Sequence, residues 1–151
     1  MTYLPSKIRE KNAPTFSVNA NGTGQIITNV TTYDIVEWTT AVWDTNSDFD
    51  LGNNRFQPSI EGYYQVNASM RFQSGGTNDS GRIAVFKNGV IDVNGDQFVN
   101  NPGQFHVSNI LYLNGTTDFV DIRVWRFAVS GIFVDGNITQ TWFDGTFVQG
   151  A

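Results

Sequence analysis

Between Gly62 and Phe72 the chain reads GYYQVNASMRF. Tyr64, Val66, Ala68, Met70 and Phe72 fall on alternate positions, with Tyr63, Gln65, Asn67, Ser69 and Arg71 between them. Strand side chains point to opposite faces with period two, so this run makes one buried face and one wet face. On a helix the same apolar residues would spread round the axis. The stretch is therefore a central strand of a sheet covered on one side. Just ahead of it, Arg55–Pro58 reads as a short extended run closed by a proline, and Ile60-Glu61-Gly62 as a turn.

The rest of the chain repeats this theme in shorter pieces. Thr15–Val18, Gln25–Thr28, Ile35–Trp38 and Ala41–Asp44 read as strands, with turn signals at Asn21-Gly22 and Thr23-Gly24. A polar loop follows at Thr45–Asn54. Beyond the central strand, Ser74–Gly81 is a loop of small polar residues. Arg82–Lys87 and Val90–Val93 flank Asn88-Gly89, a hairpin signal because both central positions of a type I′ turn need positive φ. Asn94–Gly103 reads as a loop, Gln104–Leu113 and Asp118–Phe127 as long strands, Ser130–Ile138 as a loop or short hairpin around Asp135-Gly136, and Thr141–Val148 as the closing strand. About ten short strands with turn signals every 8–12 residues predict an all-β, two-sheet jelly roll or sandwich. The 151 residues suit one domain. Residues 1–14, with Lys7, Arg9 and Lys11 and ending on Pro14, read as an N-terminal arm or linker, and 15–151 as the domain.

Composition narrows the function. Charged residues are 15% of the chain, below the usual quarter or so, and aromatics are 14%, which suits a β-sandwich. Net charge is −5. Binding a phosphate backbone or an anionic membrane needs clustered Lys and Arg, so neither nucleic acid nor such a membrane surface is an expected partner. No apolar run approaches the ~18 residues of a membrane span, so no insertion is expected. The first residues contain no apolar stretch of signal-peptide length, which predicts either another route out of the cell or a trimmed chain. There is no cysteine, hence no disulfide or thiol chemistry. His106 is the one histidine, set between Phe105 and Val107 in a strand pattern, and reads as structural. The 14 carboxylates could hide a glycan hydrolase, but nothing in their spacing singles out an acid–base pair, so no enzyme is expected. Asp44, Asn46, Asp48 and Asp50 recur every second residue, like the oxygen-rich opening of a calcium loop. Phe49 and Arg55 stand where an EF-hand has its glycine and closing Glu, and a hydrogen-bonded Asx-rich turn is the competing reading. No other cofactor is expected. The six Asn-x-Ser/Thr sequons suit an Asn- and Thr-rich chain and are not read as glycosylation.

Four landmarks then fall in order. Phe56, Pro58, Gly62, Tyr63 and Tyr64 resemble the F-x-x-P-x-x-G-x-Y-x-F signature of the complement C1q domain, part of the C1q/TNF superfamily, with the first spacing shortened. Lys87-Asn88-Gly89 after Phe86 resembles its Y-K-N-G hairpin, Leu111 to Gly115 through Val120 its L-x-L-x-x-G-D-x-V strand-turn-strand, and Phe143 to Phe147 its closing strand. Gly115 and Asp118 are separated here, a departure from the pattern. Asp48-Phe49-Asp50-Leu51 before Arg55-Phe56 resembles the bacterial and phage versions. The resemblance covers residues 15–148.

It implies a ten-stranded jelly roll, a tight homotrimer and non-enzymatic recognition, on fibres, capsid surfaces or cell-surface proteins. The expected location is a virion surface (a tail fibre, spike or head fibre tip), or else an extracellular or bacterial cell surface. The expected partners are a host cell-surface glycan or protein, or other virion proteins. A capsid decoration trimer docked through residues 1–14 is the alternative. The inner sheet is expected to hold Arg55–Pro58, Gln104–Leu113 and Thr141–Val148. If Leu111, Leu113, Phe143, Gly145 and Phe147 point inward, then His106, Ile110, Tyr112 and Trp142 point outward, toward the threefold axis. Ligand contacts are expected from Thr45–Asn54, Ser74–Gly81, Asn94–Gly103 and Ser130–Ile138, through Asp48, Asn78, Asp79, Asn100, Asn101 and Asp135.

Overall fold

The computed structural model describes residues 13–29, 31–73, 80–99, 103–127 and 132–151. Its longest strand, β7 (Gly62–Gln73), follows the alternation read above. Before it come β1 (Thr15–Asn19), β2 (Gln25–Ile27), β3 (Asp34–Ile35), β4 (Thr40–Asp44), β5 (Phe49–Asp50) and β6 (Arg55–Phe56). After it come β8 (Ser80–Lys87), β9 (Val90–Val99), β10 (Gly103–Leu113), β11 (Val120–Phe127), β12 (Ile132–Val134) and β13 (Trp142–Gln149).

The strands form two antiparallel sheets. In the first, β7 pairs with β10 along one edge, and with β13 and then β12 along the other; β1 and β4 continue beyond β13, and β2 beyond β12. The second runs β5-β6-β11-β8-β9, with β3 also on β11. The all-β, two-sheet jelly roll expected from the sequence is the observed architecture.

Tyr64, Val66, Ala68, Met70 and Phe72 turn into the sandwich and are essentially buried. Aromatic groups join the sheets at both ends. Phe16 of β1 lies 4.3 Å from Phe56 and 5.1 Å from Phe49 across the sandwich, and 4.9 Å from Phe143 on its own side. At the far end Phe98 of β9 sits 5.1 Å from Phe72 and 4.9 Å from Phe105. Two backbone positions need their particular residues. Asn88 and Gly89 both take positive φ, as their hairpin requires. At Gly95 an added Cβ would come within 2.6 Å of the His106 carbonyl, so β9 can cross β10 this closely only there.

Several boundaries differ from the sequence reading. Arg55–Phe56 belongs to the second sheet, paired with Phe49–Asp50 and at Val120, and not to the sheet of β10 and β13. Two residues carry no periodicity, and what places them is Phe56 meeting Phe16 across the core. The expected loop from residue 94 is strand as far as Val99; register shifts between Arg82 and Ala84 and between Val85 and Phe86 interrupt the alternation that would have shown it. Residues 36–38 leave the ladder after Ile35: Val36 N donates to Ile122 O, while Trp38 N donates to the Asn54 side chain at 2.7 Å. Within 130–138, expected as a loop or short hairpin, Ile132–Val134 forms a strand that pairs with the distant β2 and β7. Pro14, assigned to the arm, is buried, and its carbonyl accepts a hydrogen bond from Phe147 N at 2.9 Å.

Phe16 touches aromatic rings of both sheets, so Phe16→Ala is expected to cost about 3–5 kcal/mol in denaturant unfolding, the range for a buried large-to-small change. Phe127→Ala, on a side chain 64% exposed, is expected to change stability by no more than about 0.5 kcal/mol.

Candidate functional site

The outward face of the first sheet collects the sequence-nominated residues. Because β7 lies between β10 and β13, their side chains stand in rows across it. Trp142, Ser69 and His106 form one row; Asp144, Asn67 and Ser108 the next; Thr146, Gln65 and Ile110 the third. Tyr112 stands opposite Tyr63 with ring centroids 5.7 Å apart. β1 and β4 lengthen the second row, placing Ser17 beside Asp144 and Trp43 beside Ser17. Ile110 is 55% exposed and Trp43 49%, whereas Tyr112 and Trp142 are half-buried.

The polar groups between these apolar ones satisfy each other. Asn67 Nδ2 donates to Asp144 Oδ1 at 3.1 Å, and Ser108 Oγ donates to Asn67 Oδ1 at 2.9 Å. Gln65 Nε2 donates to Ser108 Oγ at 2.7 Å and to Asn67 Oδ1 at 3.1 Å. Higher up, Ser69 Oγ donates to the Gln140 carbonyl and accepts from Gln104 Nε2. The Tyr112 hydroxyl donates to the Glu61 carboxylate, and this bond, first among the causes, raises the phenol above its ordinary value. Burial pushes the Asp144 carboxyl above the usual carboxylate range, against the opposing pull of the Asn67 amide. His106 carries its ring outward on the edge strand, and its backbone N–H donates to the Asp96 carboxylate at 3.0 Å.

The comparisons bear on this sheet. No family model matches the sequence, and no curated protein sequence matches it. Solved structures do match. Murine APRIL superposes with a TM-score of 0.64 at 8% identity, over 91% of this chain and 100% of that one. The globular domain of zebrafish complement 1qA protein gives 0.58 at 18% identity, over 93% and 100%. The Eiger TNF structure from S. frugiperda gives 0.63 at 12% identity, over 92% and 93%. The fold is the C1q/TNF-like jelly roll.

Within this C1q/TNF-like domain the Asp-rich run does not converge. Asp44 accepts hydrogen bonds from Asp48 N at 3.1 Å and Phe49 N at 2.8 Å. Asp48 accepts from Ser59 Oγ at 3.3 Å. Asp50 accepts from the side chain and backbone of Asn53, and the Asn53 amide holds its carboxyl below the usual range. Asn46 lies in the bend between β4 and β5. Asp44 and Asp50 each close a piece of their own turn, as in an Asx-rich turn, while Asp48 reaches Ser59 beyond β6. No group of three or more His, Cys, Asp or Glu able to hold a metal ion occurs among the described residues.

The nominated loops do not share one end of the sandwich. Residues 45–54 lie with the start of β1 and the end of β13, since Thr45 N donates to Thr15 O and Gln149 stands opposite Tyr63. Segments following β7, β9 and β11 leave from the opposite end, beyond Gln73, Val99 and Phe127. Asn78, Asp79, Asn100 and Asn101 fall outside the described residues. Asp135 is placed, and it pins its own turn: it accepts from Gln73 Nε2 at 2.9 Å and Asn137 N at 3.0 Å, with Arg71 Nε at 3.9 Å. Sequence reasoning missed Trp43, Asp144 and the Gln65–Asn67–Ser108 network. The available signal was the wet side of β7, where amides stand in place of charges.

Asp144 gives a pH prediction with a definite sign. A carboxyl whose folded-state value is raised binds more protons folded than unfolded, so its ionisation costs stability as pH rises from about 4 through the folded value. Asp144→Asn keeps the acceptor for Asn67 and removes that cost. The melting temperature of the variant relative to the parent should therefore increase between pH 4 and pH 7 and level off above; a difference independent of pH would contradict this.

Proposed function

We propose that the chain is a non-enzymatic homotrimeric recognition module that buries the outward face of its first sheet against two further copies. The observation that carries this reading is the face itself. Ile110 is more than half exposed near the Tyr63–Tyr112 pair, with Trp142 two rows away on the same face, and the described charged or ionisable groups of that face besides tyrosine are Asp144, His106 and Arg71. Soluble monomers rarely leave an apolar patch beyond a few hundred Å² in water, and closed obligate interfaces of roughly 2,000 Å² or more remove it. The Gln65, Asn67 and Ser108 groups are already joined to one another, so covering them costs little, and Asp144 is the group that resists further burial. The net charge of −5 is largely kept off this face, which limits like-charge repulsion between copies.

The module is read as a virion-surface domain, such as the tip of a tail fibre, spike or head fibre, that attaches to a glycan or protein of a host cell. Two features support this. Asp48-Phe49-Asp50-Leu51 with Arg55-Phe56 matches the phage-type pattern. The domain is also polar in form: β1 starts where β13 ends, while the connections after β7, β9 and β11 leave some 12 residues of strand away, ~40 Å at the usual rise. A domain held by its N-terminal arm would turn those connections outward. Lys7, Arg9 and Lys11 in the arm suit the second reading, a capsid decoration trimer docked through residues 1–14, which particle imaging would reveal as density at many symmetric capsid positions.

Light scattering at micromolar concentration is expected to give three times the chain mass. Ile110→Asp places an unpaired charge where the copies meet, and should yield monomer or fail to fold; a monomeric parent protein would end the trimer reading. Replacing only the connecting residues 74–79, 100–102 or 128–131, outside the strands, with unrelated sequence is expected to abolish binding to host cells while the trimer persists. Undiminished binding after all three exchanges would remove the recognition reading.

A further inference from the structure

The outward face of the second sheet is closed on itself in one half and open in the other. Val124, Ile83 and Phe98 point into the core, so Trp125 and Phe127 of β11, Ser80 and Arg82 of β8, and Gln97 and Val99 of β9 point away from it. They stand in two rows. Arg82 lies between Trp125 and Gln97, and Ser80 between Phe127 and Val99. Toward the Asn88-Gly89 hairpin, similar groups are used up on one another. Arg123 Nε and Nη2 donate to Asp121 at 2.6 and 3.0 Å, and the guanidinium lies 4.4 Å from the centre of the Phe86 ring. Tyr33 meets Phe86 edge to face at 5.0 Å, and its hydroxyl donates to Asn94 Oδ1 at 3.1 Å.

The other half is not completed in this way. Phe127 is 64% exposed and Val99 62%, with Trp125 half-buried on the same face. The Trp125 and Phe127 rings are nearly parallel, inclined by 28° with centroids 6.3 Å apart. Arg82 Nη2 donates to the Gln97 side-chain oxygen, its partner among the described residues. A guanidinium is a fork of several N–H donors, so most of these, with the Gln97 NH2, stay available. Charge then selects the ligand. Arg71, Lys87 and Arg123 each pair with an aspartate, whereas Arg82 carries its charge beside a neutral amide, in a chain of net charge −5. An arginine fork matches a carboxylate through two parallel bonds. The flat C–H side of a pyranose ring is apolar and suits the negative face of an aromatic ring. We propose, resting on the recognition reading above, that this half of the face binds an acidic polysaccharide, with sugar rings against Trp125 and Phe127 and a uronate carboxylate on Arg82. The position agrees with that reading: β9 and β11 end here and β8 begins here, beside the connections assigned to host contact. It is also the face that the proposed trimer leaves in water, so each copy offers one site.

Polygalacturonate, alginate and hyaluronate, with dextran as the neutral control, serve as probes on a sensor surface. The parent protein is expected to bind at least one polyuronate and not dextran. Arg82→Gln removes the fork and should weaken that binding by about tenfold or more, as loss of a charge-assisted pair does. Phe127→Ala, on a side chain that the core does not use, should weaken it comparably, while Val90→Ala at the hairpin should leave it unchanged. Polyuronate binding that survives both Arg82→Gln and Phe127→Ala would overturn the site. Binding lost with Arg82→Gln but indifferent to Phe127→Ala and Trp125→Ala would show attraction by charge alone, and would overturn it as well. A parent that attaches to host cells but binds none of the polyuronates would end the inference and leave the recognition reading standing. A parent that binds neither would remove both. Attachment to cells that Phe127→Ala abolishes but periodate oxidation of the surface sugars spares would assign the face to a protein partner and overturn the polysaccharide.

Discussion

The molecule depends on the register of β7. Its inward residues fill the sandwich and its outward ones meet partners on β10 and β13 along nearly its whole length. A slip of one residue would exchange the two faces, putting Tyr64, Val66, Met70 and Phe72 in water and Gln65, Asn67 and Arg71 in the core. Such a slip would also separate Asn67 from both Asp144 and Ser108. The same constraint therefore fixes the core and composes the outer face.

Aromatic residues do what disulfides or metals do in many small domains. With no cysteine, the two sheets are joined without a disulfide, chiefly by aromatic packing. Phe16, Phe49, Phe56 and Phe143 lock one end, and Phe72, Phe98 and Phe105 the other. Large flat side chains suit this work, since each buries much area for two rotatable bonds and prefers tilted or edge contacts that resist sliding. Polar clasps tie the turns at the termini end: Lys87 Nζ donates to the Tyr112 carbonyl and pairs with Asp118 at 3.0 Å, while Asn88 is bonded to both Asp118 and Phe119. Burial alone would raise the Asp118 carboxyl, but the bonds from Asn88 and Lys87 outweigh it and hold it below its ordinary value.

What the sequence revealed follows from the range of each signal. Alternation is local, so β7, the Asn88-Gly89 hairpin and the outward set of β10 and β13 could all be read. Thus Ile110 and Trp142 do stand on the outward face inferred from Leu111 and Phe143. Sheet membership is not local. Arg55–Phe56 is too short to carry a period, and its partner Val120 lies 64 positions on. The Asn67–Asp144 bond joins residues 77 positions apart, and nothing near either one announces it. The Asp-rich run failed as a convergence signal for a related reason. Spacing of two gathers side chains on one side of a strand, but the chain turns at Ser47 with φ 59°, so Asp44 and Asp50 serve different turns.

The unequal edges of the first sheet bear on how such a domain can assemble and then stop. A sheet with both edges closed by carboxylates, as β10 is by Asp92 and Asp96, offers a neighbour no strand to lie against. A sheet with two open edges can add copies without limit, which is the route to fibres. The first sheet has both kinds of edge: β10 is closed, while β4 pairs only with β1 and β2 only with β12 among the described residues. The polar row between Trp43 and Ile110 sets what a covering surface would meet. Its hydrogen bonds are internally satisfied, so it can be covered in a ring without new partners, yet it offers no apolar area to reward a flat stack of sheets. Asp144 sharpens the distinction. It is half-buried already, and any arrangement that brought several copies of it face to face in the ionised form would be opposed by their mutual charge. Face-to-face stacking of this row in its ionised form is therefore disfavoured by its own chemistry.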